Sequence, residues 1–406
     1  MNFGRVLNRH RTTGGMMSLA RSLAAASTVA LLAPVPLSAA PEPVHIDAIV
    51  SQTGTAAFLG SGEAQALRIL QGVVNKGGGI NGHPVEFVIS DDQSTPTTAV
   101  QLMNGVIASK RSALIGTGFT ATCLAIMPLS RASGPVTYCI TPGVHPTAGS
   151  YAFSANVGTE SMAPVMLRYF RERGWKRFAF ISSTDASGQD MEKAVNAAMQ
   201  RAEFKSLTMV DREHFSTTDI TASAQIERMK AAQPQAAIFW TAGTGFGTLL
   251  RNAQDAGFAI PIMGGNANEL YSQLQQYKGF LPNDLYFPSP RSIVEGAALA
   301  GPIRDAQSVY FKAFKAANIR PDLAATMAWD PALIIINAYR KLGTNASADK
   351  IRDYIEHLHG WVGINGVYDF TDGSQRGLEE NACVILRFDR NSSSFASASR
   401  PAGRLR

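Results

Sequence analysis

Between His45 and Pro96 the chain spells out one complete strand–helix–strand unit, and no other stretch constrains the fold as sharply. A strand pattern over His45–Val50 leads into the Gly-bearing loop Thr53–Gly62. An amphipathic helix then runs to Lys76, followed by the Gly-rich turn Gly77–Gly82 and a second strand, Val85–Ser90. Asp91-Asp92-Gln93-Ser94-Thr95-Pro96 closes the unit. Strands joined through a helix run parallel, and parallel sheets need helices on both faces. Ser61 with Glu63 is expected to open the helix, which places Ala66, Leu67, Leu70, Val73 and Val74 on one face. Gly77–Gly79 suit a helix end that needs positive φ, and Asn81-Gly82 a tight turn. Asp91 and Asp92 are read as bracing the Thr95 turn, a structural role rather than a catalytic one.

The same alternation continues along the chain. Strands are expected at Ala113–Ile115, Val136–Ile140, Phe178–Ile181, Ala236–Trp240, Ile260–Met263 and Leu285–Phe287. Thr95-Pro96 is an N-cap with proline at the first helical position, ahead of the stripe Val100, Met103, Val106 and Ile107. A helix from Ser161 buries Val165, Met166 and Phe170 and stops at Gly174. The 406 residues exceed one ordinary core and suit two lobes. With no linker-like stretch, the chain must cross between them more than once. The fold class is α/β, as two doubly wound Rossmann-like lobes joined by three crossovers. The crossovers are expected near Asn156–Thr159, Phe287–Arg291 and Gly363–Tyr368. The Ser-rich tail after Asp389 is expected to fray.

Residues 1–40 read as a secretory signal peptide: basic residues, the apolar run Leu23–Leu37, then Ser38-Ala39-Ala40, with cleavage at about 36–41. Met16 or Met17 would also serve as a start, and the alternative of a membrane anchor is disfavoured by the short apolar run. The net charge of +6 owes four units to Arg5, Arg9, Arg11 and Arg21; the remainder holds 33 basic against 31 acidic residues. That near-neutral balance gives no support for nucleic acid as a partner. Cys123, Cys139 and Cys383 are an odd, sparse set, so a disulfide framework and a zinc site are both set aside, with Cys139 read as a buried small residue. Gly243-Thr244-Gly245-Phe246-Gly247 departs from dinucleotide-loop spacing, and there is no G-x-S-x-G or H-E-x-x-H motif. His357 and His359 would face apart. No cofactor, metal or catalytic residue is assigned.

The residues that now stand in order resemble one family. They are Thr53-Gly54 with Gly60, Asn75 to Gly82, Asp91-Asp92 with Pro96, and Gly116 before a Thr-rich loop. Thr141-Pro142-Gly143 and Gly363-Ile364-Asn365-Gly366 with Tyr368-Asp369-Phe370 complete the set. The chain is similar, from about His45 to Asp389, to the periplasmic solute-binding proteins of ABC transporters of the leucine/isoleucine/valine type. The resemblance implies a ligand cleft between the lobes at the strand carboxyl ends. The expected boundaries are 41–157 plus 288–363 for lobe 1, 158–287 plus 364–395 for lobe 2, and a frayed tail at 396–406.

In the first lobe the resemblance places the ligand carboxylate on the loop Gly116–Thr122, with Thr120 as the contacting hydroxyl and Thr122 at the helix start. His145 falls where amino-acid binders carry threonine and is expected to add a polar contact; Phe58 and Phe119 would wall one side. In the second lobe Ser187 stands where the family often has a covering tyrosine. Trp240, Thr241 and Ala242 follow a strand end, with Ala242 near the family's aromatic contact. Asn266 replaces the glutamate that pairs with a ligand ammonium, although Glu160 or Asp185 could substitute. Ala328-Trp329-Asp330-Pro331 looks like relatives that take aromatic or other non-amino-acid carboxylates. The expected function is a periplasmic carrier that closes over a small organic carboxylate, aromatic or branched-chain amino-acid-like, and serves an ABC permease in the inner membrane, as a monomer. The alternatives are a ligand-sensing receptor of the same fold, or an exported hydrolase.

Overall fold

The computed structural model describes residues 41–130, 133–297 and 300–405; the signal-peptide expectation lies outside them. The first sheet is built from β1 (Val44–Val50), β2 (Val85–Asp91), β3 (Ala113–Ile115), β4 (Val136–Cys139) and β5 (Ala152–Ser154). Its order is β2-β1-β3-β4-β5 and every pairing is parallel. Helices α1 (Ala57–Lys76), α2 (Pro96–Ala108) and α3 (Thr120–Ile126) connect these strands. In such an order the switch point lies between β1 and β3, so the loops after those strands flank a ligand-binding crevice.

The chain then crosses into α4 (Thr159–Glu172), β6 (Arg177–Ser183), α5 (Ala186–Met199), β7 (Thr208–Phe215) and α6 (Ser223–Ala231). It continues through β8 (Ala236–Trp240), α7 (Gly245–Asp255), β9 (Ile262–Gly264), α8 (Tyr271–Gln276) and β10 (Leu285–Pro290). Helices α9 (Pro302–Ala316), α10 (Leu323–Leu342) and α11 (Ala348–Glu356) return to the first lobe: α9 and α10 lie on α1, and α11 on β4. The hairpin β11 (His359–Val362) and β12 (Val367–Asp369) precedes β13 (Cys383–Asp389) and β14 (Ser394–Ser397). The second sheet has the order β14-β13-β10-β9-β8-β6-β7, with β13 antiparallel to β10 and to β14. Both lobes are thus doubly wound, as expected.

Strands Ala113–Ile115 and Ala236–Trp240 fall where the apolar runs placed them, because each is buried on both faces. Thr95 and Pro96 begin α2, and Gly174 ends α4's turn at φ 76°. Helix α1 differs: it starts at Ala57, not Ser61. The preceding turn is held from outside, with Asp91 accepting from the Gln52 and Thr53 amides (2.8 and 3.2 Å) and the Ala56 amide reaching Ser94 Oγ (3.1 Å). Asp91 therefore braces this turn, while Glu63 lies fully buried inside the lobe. Gly79 must be glycine, since φ is 68° and a Cβ would lie 2.0 Å from the His83 carbonyl oxygen.

The frayed-tail expectation fails up to Leu405. Phe395 of β14 packs on Phe287, Phe388 and Tyr271. Beyond it, the Ala402 carbonyl accepts from buried Arg168 (2.7 Å), and the Leu405 amide donates to Glu172 (2.6 Å). A few well-spaced apolar and backbone anchors suffice where serines dominate the composition.

Candidate functional site

Thr120 opens α3 and is buried, and its hydroxyl meets that of Thr141 at 2.9 Å. The loop after β3 and the loop after β4 therefore touch; a Cβ at Gly143 would fall 2.8 Å from Thr120 Oγ1. Thr122 is spent locally, donating to Thr117 Oγ1 (3.0 Å) and to the Phe119 carbonyl (2.9 Å), with Thr117 also 3.3 Å from Ser51. These bonds stay within the loop and first turn of α3, whose N-cap Phe119 has no side-chain cap. Phe119 is half-buried at the N-cap.

A disulfide between Cys123 and Cys139 locks this region, which corrects the reading of Cys139 as a lone buried residue. The two Cα atoms lie 6.0 Å apart. The bond ties α3 to the end of β4, three residues after Thr120 and two before Thr141. Spacing gave no hint of it, because the partners are juxtaposed by the sheet, not by a motif.

In the second lobe the loops after β8 and β9 meet. Asn268 Nδ2 donates to the Thr241 carbonyl at 2.6 Å, and Gln273 Nε2 to the Gly243 carbonyl at 2.8 Å. Trp240 and Thr241 are buried and Ala242 half-buried. Asn266 is 2% exposed, and its Nδ2 has no acceptor among the described residues. A buried amide donor without a partner costs about 1–3 kcal/mol, so it marks a place where an acceptor belongs. Ser187 is half-buried in the first turn of α5, where Asp185 caps the helix through the Gly188 amide (3.0 Å).

Two of the contacts between the lobes involve the loops after β8 and β4. Gly243, at φ 71°, packs on the first lobe so closely that a Cβ would lie 2.3 Å from the Thr55 carbonyl oxygen. His145 reaches from the loop after β4 to two carboxylates of the second lobe: Nε2 is 2.7 Å from Asp190 Oδ1 and Nδ1 is 3.1 Å from Glu160 Oε2. Hydrogen bonds to Asp190 and Glu160 outweigh burial and raise His145 to about 9. Burial alone would raise Glu160, but the His145 hydrogen bond and the Arg376 charge hold it at about 2. Both ring nitrogens of His145 are thus engaged, where a ligand contact had been expected.

Of the expected walls, Phe58 lines a depression of about 650 Å³ with Tyr271, Phe314 and Arg320, between α1, α8 and the start of α10. Trp329 lies in the core, edge-on to Tyr310 at 5.0 Å. Sequence reasoning missed Arg376. This buried guanidinium donates to the carbonyls of Pro142, Val144, Ala155 and Asn156 at 2.7–3.3 Å, and stands 3.7 Å from Glu160. It organises the first crossover and the His145 loop together; its partners are backbone atoms over 200 positions away, so no local pattern betrays it.

Two doubly wound lobes joined by repeated crossovers, with loops meeting at the strand carboxyl ends, define a bilobal solute-binding protein. Residues 43–391 match the periplasmic binding protein family, and the chain belongs to it. It is similar to Leu/Ile/Val-binding protein homolog 3 of Brucella melitensis, at 25% identity over 260 residues, covering 61% of this chain and 67% of that protein. A branched-chain amino acid transporter substrate-binding protein of Streptococcus pneumoniae, solved with isoleucine, superposes with a TM-score of 0.74 at 18% identity, covering 88% of this chain and 99% of that one. An ABC-transporter solute-binding protein of Rhodopseudomonas palustris, solved with benzoate, gives 0.75 at 16% identity, covering 90% and 97%. No helix among the described residues is long and apolar enough to cross a membrane.

Proposed function

We propose that this chain is the periplasmic solute-binding component of an ABC importer and that its solute is a small organic carboxylate without an ammonium group. One observation carries the reading. The buried Asn266 amide presents a donor with no acceptor among the described residues, where amino-acid binders of this type are expected to carry glutamate. The two acids that could have replaced that glutamate are committed elsewhere, Glu160 to His145 and Arg376, and Asp185 to the cap of α5. An ammonium placed here would be buried without a counter-charge, which typically costs several kcal/mol. A carbonyl or carboxylate oxygen would instead satisfy Asn266.

In this reading Thr120 takes the carboxylate, with Phe119 beside it; Thr241, Ala242 and Asn266 close from the second lobe, and Ser187 leaves room that a tyrosine would fill. Closure is a hinge motion about the crossovers, stabilised by contacts from both lobes. The closed monomer then delivers its solute to an inner-membrane permease. The test is a thermal-shift screen of the chain from about residue 41, refolded to strip retained solute. Benzoate, hydroxybenzoates, cinnamates, leucine, isoleucine and valine form the panel. A true solute at about 100 times its Kd adds roughly 2.7 kcal/mol and a clear rise in Tm. Aromatic acids are expected to shift it and the amino acids not; the reverse pattern overturns the carboxylate assignment.

A further inference from the structure

His145, Asp190, Glu160 and Thr159 form a cluster that spans the two lobes. His145 belongs to the first lobe, whereas Glu160 and Thr159 stand in the first turn of α4 and Asp190 one turn into α5, both packed with the second sheet. Thr159 Oγ1 donates to Asp190 Oδ2 at 2.5 Å, fixing that carboxylate while its other oxygen faces His145 at 2.7 Å. Behind Glu160 stands the Arg376 guanidinium at 3.7 Å. The charged groups facing the imidazole are therefore Asp190 from α5 and Glu160 from α4, with Arg376 in the next layer.

The ring has a carboxylate oxygen at each nitrogen. Only the imidazolium has two N–H donors; a neutral ring would turn a lone pair toward one carboxylate. The cluster is thus complete only when His145 carries a proton, and its two halves part when the lobes part.

We propose that Asp190, acting through protonated His145, is a positioning residue for lobe closure: the pair clasps the lobes together before solute arrives and makes solute binding proton-linked. The proposal rests on the two-lobed binding-protein reading but on no particular solute. With the lobes apart, His145 returns to an ordinary value of about 6.5. Closed, it sits at about 9. A raised value in the closed form means that the clasp is complete below pH ~6.5 and is lost as pH climbs through about 9. His145 is about half exposed, so solvent screening trims the effect to on the order of tenfold in the closing equilibrium.

The test uses the solute-free mature chain with spin labels on cysteines introduced at exposed Gln101 of α2 and Asp255 of α7, one per lobe. Cys383 is buried and the other two cysteines are bonded, so labelling is selective. Pulsed dipolar distances at pH 6 are expected to be mainly short, and at pH 9.5 to shift roughly tenfold toward the long, open population. Asp190→Asn is expected to be open at both pH values, and His145→Gln to show no pH dependence. Identical wild-type distributions at both pH values, or an Asp190→Asn profile like wild type, would overturn the clasp. Should Asp190→Asn fail to fold, His145→Gln decides alone. Because no solute is present, a panel in which nothing binds would sink the functional reading without touching this result.

Discussion

Asp330 Oδ2 accepts the Tyr368 hydroxyl at 2.9 Å, which joins the middle of α10 to β12. The same carboxylate receives the Ile364 and Asn365 amides at 2.9 and 3.0 Å. A Cβ at Gly363 would fall 2.4 Å from Asp330 Oδ2, so glycine is required beside it. Asn365 extends the network to Ser292, just past β10, and to the Thr326 carbonyl. One buried acid therefore ties α10 to the β11–β12 hairpin and, through Asn365, to the segment just past β10. The Trp329-Asp330-Pro331 segment, read as a mark of ligand class, has a structural role: its tryptophan is core and its aspartate holds the joint.

Removing that acid should be costly. Asp330→Ala leaves three buried donors without an acceptor and is expected to lower stability by about 3–5 kcal/mol, and Asp330→Asn by about 1–3 kcal/mol, read from urea midpoints. Burial, only partly offset by its hydrogen bonds, raises Asp330 to about 6. Its ionisation therefore opposes folding, and its contribution is lost as pH rises through about 6. The Asn variant should lack that component of the pH profile. A midpoint unchanged in Asp330→Ala would show that the β11–β12 hairpin is held elsewhere.

Asn266→Glu tests solute class from the protein side. A carboxylate at this buried position supplies the counter-charge that an α-amino acid needs and repels an acid that lacks one. Isothermal titration is expected to show isoleucine or leucine affinity rising tenfold or more, the scale of ~1.4 kcal/mol, with benzoate-type acids weakened at least as much. If neither affinity moves, Asn266 does not face the solute.

What the chain made legible follows from where its information is local. Strands buried on both faces, such as Ala236–Trp240, read as continuous apolar runs and were placed to the residue. β7 (Thr208–Phe215) was invisible because it is an edge strand whose Asp211, Arg212, Glu213 and His214 mask any apolar pattern. In the site, the Thr-rich loop announced itself between a strand and a helix. Asp190 and Arg376 did not, because their roles depend on partners 31 or more positions away along the chain. The Cys123–Cys139 bond, only 16 positions apart, was hidden because the sheet and no spacing motif brings the two cysteines together.

That disulfide closes a short loop, with a sequence separation of 16. The chain-entropy cost removed from the unfolded state by such a loop is about 3 kcal/mol. The paired Cys123→Ser, Cys139→Ser variant is expected to melt several degrees lower. Because the bond fixes Thr120 against Thr141, solute affinity should fall even at temperatures where the variant is fully folded. Equal affinity in bonded and serine forms would show that the two threonines hold their places without it.

Glu63 and Gly118 offer a sharper test of the same loop. A Cβ at Gly118 would lie 1.8 Å from Glu63 Oε1, so the carboxyl of α1 occupies the space a side chain would need. Neither Glu63 oxygen makes a well-aligned hydrogen bond among the described residues. Burial and the nearby Asp92 charge push Glu63 well above the ordinary carboxylate range, more than the Gly118 amide draws it back. A carboxyl raised in the folded state contributes stability below its ordinary value of about 4.5 and loses it as pH rises. Glu63→Gln should therefore match wild type within about 1 kcal/mol at pH 5 and exceed it by about 1–3 kcal/mol at pH 9. Gly118→Ala should cost about 1–3 kcal/mol through overpacking, and Glu63→Ala in the same chain should recover most of that loss. Additive effects in this double-mutant cycle would mean that the two residues do not compete for one space, and that the loop carrying Thr120 rests on other contacts.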